Sequence, residues 1–312
     1  MGERPRAELI ADRGAAAASD DFFRSREFLA AEGVTHTLRL ASPRRTALVP
    51  LIVAEVPGSD RPDASSPYGY PGGLTRGEGE PESPDAVDWS ATGLVSVFAR
   101  ERLGAEPWLA GSSERSRVLV HDPARPRALR SRLAEQVRAN LRAGWSVAVT
   151  PGSSARPEDR DAFALAYEQT MLRTGAADRY FFSRPYLDAA LSYRGSWLLI
   201  ARRDRALGAA AIAAESDGLL HYFLGGTAEE ALGSSPVKNV LARMLDLADE
   251  LELALNLGGG VRPGDGLESF KRGFANSELA FRTHELVCDR AEYERLSAGR
   301  ERGEFFPAYR AG

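Results

Sequence analysis

The sequence predicts an α+β protein in two lobes, each a mixed, mostly antiparallel sheet flanked by helices. Three observations point there. At 312 residues the chain suits two domains of ordinary size better than one large one. The run Pro151-Gly152-Ser153-Ser154, directly after an apolar strand pattern, marks a natural break. In the second half, two helical patterns precede an antiparallel meander, and helix, strand, helix and strand follow. That order is not the strict alternation of a doubly wound fold. The expected division is a flexible N-terminus over 1–20, an N-terminal lobe over 21–152 and a C-terminal lobe over 153–312.

Residues 1–20 are rich in Ala and Arg and are expected to fray. Apolar Phe22, Phe23, Phe28 and Leu29 predict a helix over 21–32. Strands are expected at 35–40 and 47–56, the second closed by Pro57-Gly58. Residues 58–88 collect Gly, Pro, Ser and Asp around Ser66-Pro67-Tyr68-Gly69-Tyr70-Pro71-Gly72-Gly73, and their acidic tail over 77–85 suggests an exposed loop. Strands at 94–98 and 117–121 precede a helix over 126–142 carrying Leu129, Leu133, Val137 and Leu141, and a strand at 145–150 closes the lobe.

The second half begins with helices over 159–173 and 184–192. Strands at 196–201 and 208–213 pair across Arg203-Asp204-Arg205-Ala206, and 219–224 adds a third. A helix over 236–251, a strand at 253–257, a short helix over 266–274, a strand at 279–288 and a terminal helix over 289–296 complete the chain.

Composition excludes several classes. Apolar content of 43% and charged content of 27% belong to a globular chain. The net charge of −4 rules out a global polycation, although eight arginines face three acidic residues between Glu114 and Arg142. That stretch is either a charged surface face or a contact for a nucleic-acid backbone. One cysteine, Cys288, precludes an internal disulfide, and its setting in Leu286-Val287-Cys288 suggests a packed thiol. No apolar run is long enough to span a bilayer, and the start lacks a signal-peptide core, so a cytoplasmic protein is expected. His36, His121 and His284 show no ligand spacing, and no metal site is expected. No phosphate-binding glycine fingerprint follows a strand; Gly258-Gly259-Gly260 has no basic residue immediately behind it.

Four stretches stand out. Tyr167-x-x-Thr170-Met171-x-Arg173 leads to Tyr180-Phe181-Phe182 and Tyr186. His221-Tyr222-Phe223-Leu224-Gly225-Gly226-Thr227 leads to Ser235-Pro236 at a helix start. Leu255-Asn256-Leu257-Gly258-Gly259-Gly260 precedes Gly266-Leu267-Glu268-Ser269-Phe270-Lys271-Arg272-Gly273-Phe274. The fourth is the Ser66–Gly73 run already quoted. Together they resemble the FemABX family, the aminoacyl-tRNA-dependent peptidyltransferases of peptidoglycan bridges, with the GNAT-type acyltransferases grouped with them. The resemblance covers roughly 35–293 and is strongest over 163–274.

The resemblance implies two GNAT-like lobes, no bound cofactor, aminoacyl-tRNA as co-substrate, and an amine of a peptidoglycan precursor or other small molecule as acceptor. It places Phe270 and Lys271 at the donor's reactive end. An amine attacking an ester builds negative charge on oxygen, and a fixed cation lowers that barrier. Lys271 is one of two lysines, with Lys238, and the bland alternative for it is a solvated helix residue.

Strand alternation sends His221 and Tyr222 to opposite faces, so one of them points at a cleft. Tyr222 would hold the acceptor or relay a proton, and His221 would serve as base; each is also a plausible core residue. Tyr68 and Tyr70 are candidate cleft residues in a rigid turn, and Arg173 and Arg184 are candidate phosphate contacts on helices. The acidic stretch Ala228-Glu229-Glu230-Ala231-Leu232-Gly233-Ser234-Ser235 departs from the glycine-rich pyrophosphate loop of CoA-dependent relatives. It leaves acyl-CoA as the alternative donor. A catalytically idle binding module is the reading from another class.

Overall fold

Residues 4–260, 262, 264–300 and 305–311 are described by the computed structural model. The elements run β1 (Arg6–Ile10), α1 (Arg26–Ala31), β2 (His36–Ala41), β3 (Arg45–Ala54), β4 (Asp63–Ser65), β5 (Leu74–Gly77), β6 (Ser96–Arg100) and β7 (Ser113–His121). Next come α2 (Ser131–Arg142), β8 (Ser146–Pro151), α3 (Pro157–Thr174), α4 (Arg184–Ser192), β9 (Ser196–Arg203), β10 (Ala206–Ser216) and β11 (Leu219–Thr227). Then follow α5 (Val237–Leu251), β12 (Ala254–Gly258), α6 (Gly266–Lys271), β13 (Ser277–Val287) and α7 (Arg290–Ser297).

The chain forms two compact units whose borders differ from the expected break at 152/153. One comprises Met1–Ser19, Phe23–Arg115 and Ala280–Gly312; the other comprises Asp20–Phe22 and Ser116–Leu279. Two non-local pairings explain the difference. β13 joins β6, which returns the chain's end to the first unit, and β8 joins β9, which places it in the second. Neither pairing leaves a local signal in sequence.

In the first unit the strand order is β1-β2-β3-β4-β6-β13, with β5 also on β3. All neighbours are antiparallel except β4 with β6. The expected flexible N-terminus is corrected here: β1 pairs along its length with β2, from Arg6 opposite Ala41 to Ile10 opposite Thr37. Residues 1–3 lie outside the described residues. The Gly/Pro-rich stretch over 58–88 contains β4 and β5, and its acidic tail over 77–85, expected as an exposed loop, lies largely at the surface. The core includes Leu38, Val49, Leu51, Val97 and Trp108. Cys288 packs against it, and burial pushes its thiol up to about 12, which removes it as a nucleophile.

The second unit orders its strands β7-β12-β11-β10-β9-β8, antiparallel except for β11 with β12. β10 is central and alanine-rich, with Ala209, Ala210, Ala211, Ala213 and Ala214 fully buried. Short side chains on both of its faces let helices approach closely. Ala209, Ala211 and Ala213 meet Val240, Leu241 and Met244 of α5 in one apolar cluster. α3 covers the opposite face, where its backbone reaches Gly226 of β11. α3 starts on Pro157 with Glu158 and Asp159 in its first turn, and stops at Gly175, whose φ of 59° suits a glycine. No helix among the described residues is long and apolar enough to cross a membrane.

Candidate active site

β11 and β12 pair in parallel over three positions only, Leu219 with Ala254, Leu220 with Leu255 and His221 with Asn256. β11 runs on to Thr227 and β12 to Gly258 without further pairing to each other, so the strands part beyond His221 and Asn256. The register of β11 on β10 also shifts there: Ile212 faces Leu224 and Ala213 faces Tyr222, leaving Phe223 as the extra residue of a bulge. Bulge and parting strands aim Tyr222 to the α5 side, where it packs against the cluster holding Leu241 and Met244.

Lys271 enters this opening from α6. Asp265 starts that helix by accepting from the Glu268 amide at 2.8 Å and the Arg262 amide at 2.9 Å. The last residue of α6 is Lys271, 9% exposed. Its Nζ donates to the Gly259 carbonyl at 2.9 Å and lies 5.6 Å from the Tyr222 ring centre. Gly258, at φ 75°, leaves the room: a Cβ there would stand 3.1 Å from that Nζ. An ammonium carries three donors, and among the described residues this one makes a single hydrogen bond and no ion pair. Burial lowers its pKa to about 8, with Asp265 pulling weakly the other way.

Tyr222 is partly exposed, and burial of its phenol raises its pKa to about 12, so at neutral pH the hydroxyl is a donor. His221 lies on the opposite face, 2% exposed. Its Nε2 donates to the Ser216 carbonyl at 3.3 Å, and its Nδ1 accepts from the Asn256 amide at 3.0 Å. Asn256 Oδ1 in turn accepts from the Gly258 amide at 2.8 Å. Burial lowers the His221 pKa to about 4, so the ring is neutral with both nitrogens engaged. The expectation of a histidine base is corrected on this geometry: His221 fixes the turn that presents the Gly259 carbonyl to Lys271. Asn256 and Asp265 were missed in sequence, although an asparagine inside Ala254-Leu255-Asn256-Leu257 is a legible anomaly.

The other candidates divide. Phe270 packs edge-on against Phe274 with centroids 5.4 Å apart, on the rim of the same apolar cluster as Tyr222. Arg173 turns back along its own helix, reaching Thr170 Oγ1 at 3.2 Å and the Thr227 carbonyl at 3.5 Å. Arg184 is paired with Asp161 and with Asp188 at 3.1 Å, so its charge is already answered. Tyr68 and Tyr70 belong to the first unit. Tyr68 is 38% exposed, with its amide on Glu32 at 2.7 Å; Tyr70 stands edge-on between Phe23 and Phe281 at 5.5 and 5.4 Å. In the arginine-rich stretch, Arg115 pairs with Glu285, Arg117 with Glu278, Arg125 with Asp122 and Arg127 with Asp246.

No family profile matches the sequence, and no curated protein matches it. Solved structures do match in shape. A structure of FemX shares 12% identity over 92% of this chain and 99% of its own, with a TM-score of 0.62. L-PGS from Bacillus licheniformis shares 12% over 84% and 87%, with a TM-score of 0.55. A C-terminal domain attributed to a lysylphosphatidylglycerol synthetase of Agrobacterium fabrum shares 12% over 88% of each chain, also at 0.55. Identities this low show the fold alone, which this chain shares with FemX and L-PGS.

Proposed function

We propose that this chain is an N-acyltransferase that moves an aminoacyl group from aminoacyl-tRNA to an amine of a peptidoglycan precursor or natural-product intermediate. The observation that carries the reading is the Lys271 ammonium, buried in the gap between β11 and β12 with, among the described residues, one of its three donors used and no carboxylate paired to it. Such a cation suits an oxygen that becomes negative during reaction.

In the proposed step the acceptor nitrogen attacks the aminoacyl ester carbon. A C–N bond forms, the carbonyl oxygen takes up negative charge, and Lys271 donates to it. The ester C–O bond then breaks, the amide carbonyl re-forms, and the amine's proton passes to the departing ribose oxygen. Tyr222 keeps its proton at neutral pH, so its role is to donate a hydrogen bond and to hold the ammonium against its ring.

The stretch between β11 and α5 favours tRNA over acyl-CoA as donor. Its amides turn inward: Ala231 donates to Ala228, Ser234 to Ala231 and Ser235 to Ala231, all within 3.1 Å. The Glu229 amide is taken by Gln169 Oε1 at 3.0 Å, and Glu229 and Glu230 add negative charge. A pyrophosphate would find few free N–H groups and an opposing charge there. Incubation with charged tRNA and candidate amines, with and without RNase, tests the reading. RNase should abolish transfer; transfer that survives RNase and requires acyl-CoA would replace the donor assigned here.

A further inference from the structure

On the other face of the second unit's sheet, α3 and α4 enclose a cleft of about 290 Å³. Tyr167, Phe181 and Phe182 line it with Glu168 and Arg184. Its wall is a run of ring contacts. Phe182 stacks on Tyr186 with centroids 4.1 Å apart and planes 7° from parallel, and it also faces Tyr167 at 6.3 Å. Tyr167 is fixed by donating to the Tyr180 carbonyl at 2.7 Å. Phe181 is 41% exposed, so part of its ring is open at the cleft it lines.

The two charges in the cleft differ in state. Arg184 is neutralised by Asp161 and Asp188. No hydrogen bond or ion pair of Glu168 occurs among the described residues, so its carboxylate is the uncompensated charge of the lining. It stands on α3 between two leucines on the same side of the helix, Leu165 three residues before and Leu172 four after, which are 49% and 64% exposed. A lone carboxylate set among aromatic rings and exposed leucines is the complement of an organic cation with an apolar body.

We infer that this cleft binds an organic ammonium ion, its charge held by Glu168 and its hydrophobic portion against Phe181 and Phe182. The site lies on the α3–α4 face, whereas Lys271 lies on the α5 face, so it is separate from the proposed transfer site.

Calorimetric titration of the full chain with phenethylammonium chloride, against neutral 2-phenylethanol at equal concentration, is the test. Saturable binding of the ammonium, at least tenfold weaker for the alcohol, is the expected result. Glu168→Gln and Phe181→Ala, both exposed positions whose folding is checked by circular dichroism, should each weaken the ammonium by about tenfold. Equal binding of the two probes, undiminished affinity in Glu168→Gln, or no saturable binding by the wild type would each overturn the inference.

Discussion

Replacing Lys271 with methionine is expected to cut acyl transfer by about a hundred- to a thousandfold, the size of effect that loss of one oxyanion donor produces, while leaving the fold as stable as before or more so. The two halves of this expectation come from the same burial. At neutral pH the ammonium is charged in both the folded and unfolded chain, but folding removes it from water with no carboxylate partner among the described residues. Its folded pKa of about 8 lies below its ordinary value of 10.5. A base lowered in this way contributes its full stability only above the unfolded value, and that stability is lost as pH falls through the folded one.

The wild type should therefore gain stability relative to Lys271→Met as pH rises from about 8 to about 10.5, with a flat difference below. Urea midpoints of both proteins at pH 7 and pH 10 measure this. A variant that loses both activity and stability at pH 7 would make Lys271 a structural residue.

Gly226→Ala is expected to be the most damaging small change to the second unit. A Cβ there would lie 2.2 Å from the Ala166 carbonyl oxygen and 2.6 Å from the Tyr167 amide nitrogen, both backbone atoms of α3. No side-chain rotation relieves that clash, so the helix must lift from the sheet. Overpacking of this kind costs about 3 kcal/mol or more, which for a unit of this size lowers the thermal midpoint by roughly 10 °C. The neighbouring Gly225→Ala makes the contrast. Its Cβ would meet the Tyr222 hydroxyl at 2.3 Å, the far end of a side chain that can turn away. That variant should keep most of its stability and lose transfer, because Tyr222 would leave the Lys271 ammonium. Calorimetric midpoints and transfer rates of the pair separate the two glycines.

These two glycines show how the sequence carried the site. His221–Thr227 and Gly266–Phe274 drew notice as a strand and a short helix, and Tyr222 and Lys271 on them do come together. The side of β11 on which each residue lies also followed from alternation. What joins them was not legible. His221 meets Asn256 across a parallel pair 35 residues apart, and nothing local in either strand announces the register. For the same reason a buried neutral histidine looked like a base. Arg184 had the same difficulty: its partner Asp161 is 23 residues away, so a paired arginine and a free one read alike. At the chain's start the composition of residues 1–20 suggested fraying, yet Arg6–Ile10 finds its partner strand at Thr37–Ala41. Propensity is a weak guide where an edge strand is held by pairing.

In the proposed reaction the gap between β11 and β12 receives the donor's reactive carbonyl beside a lysine whose pKa is lowered. With Lys238 and Lys271 as the only lysines, protein labelled with carbon-13 at the lysine ε-carbon gives two signals. Titrating them by NMR, alone and with a non-hydrolysable aminoacyl-tRNA analogue, tests that claim most directly. One signal, absent in Lys271→Met, should titrate near 8 and shift when the analogue binds. Two signals that both titrate as ordinary lysines, with neither moving on addition of the analogue, would contradict it.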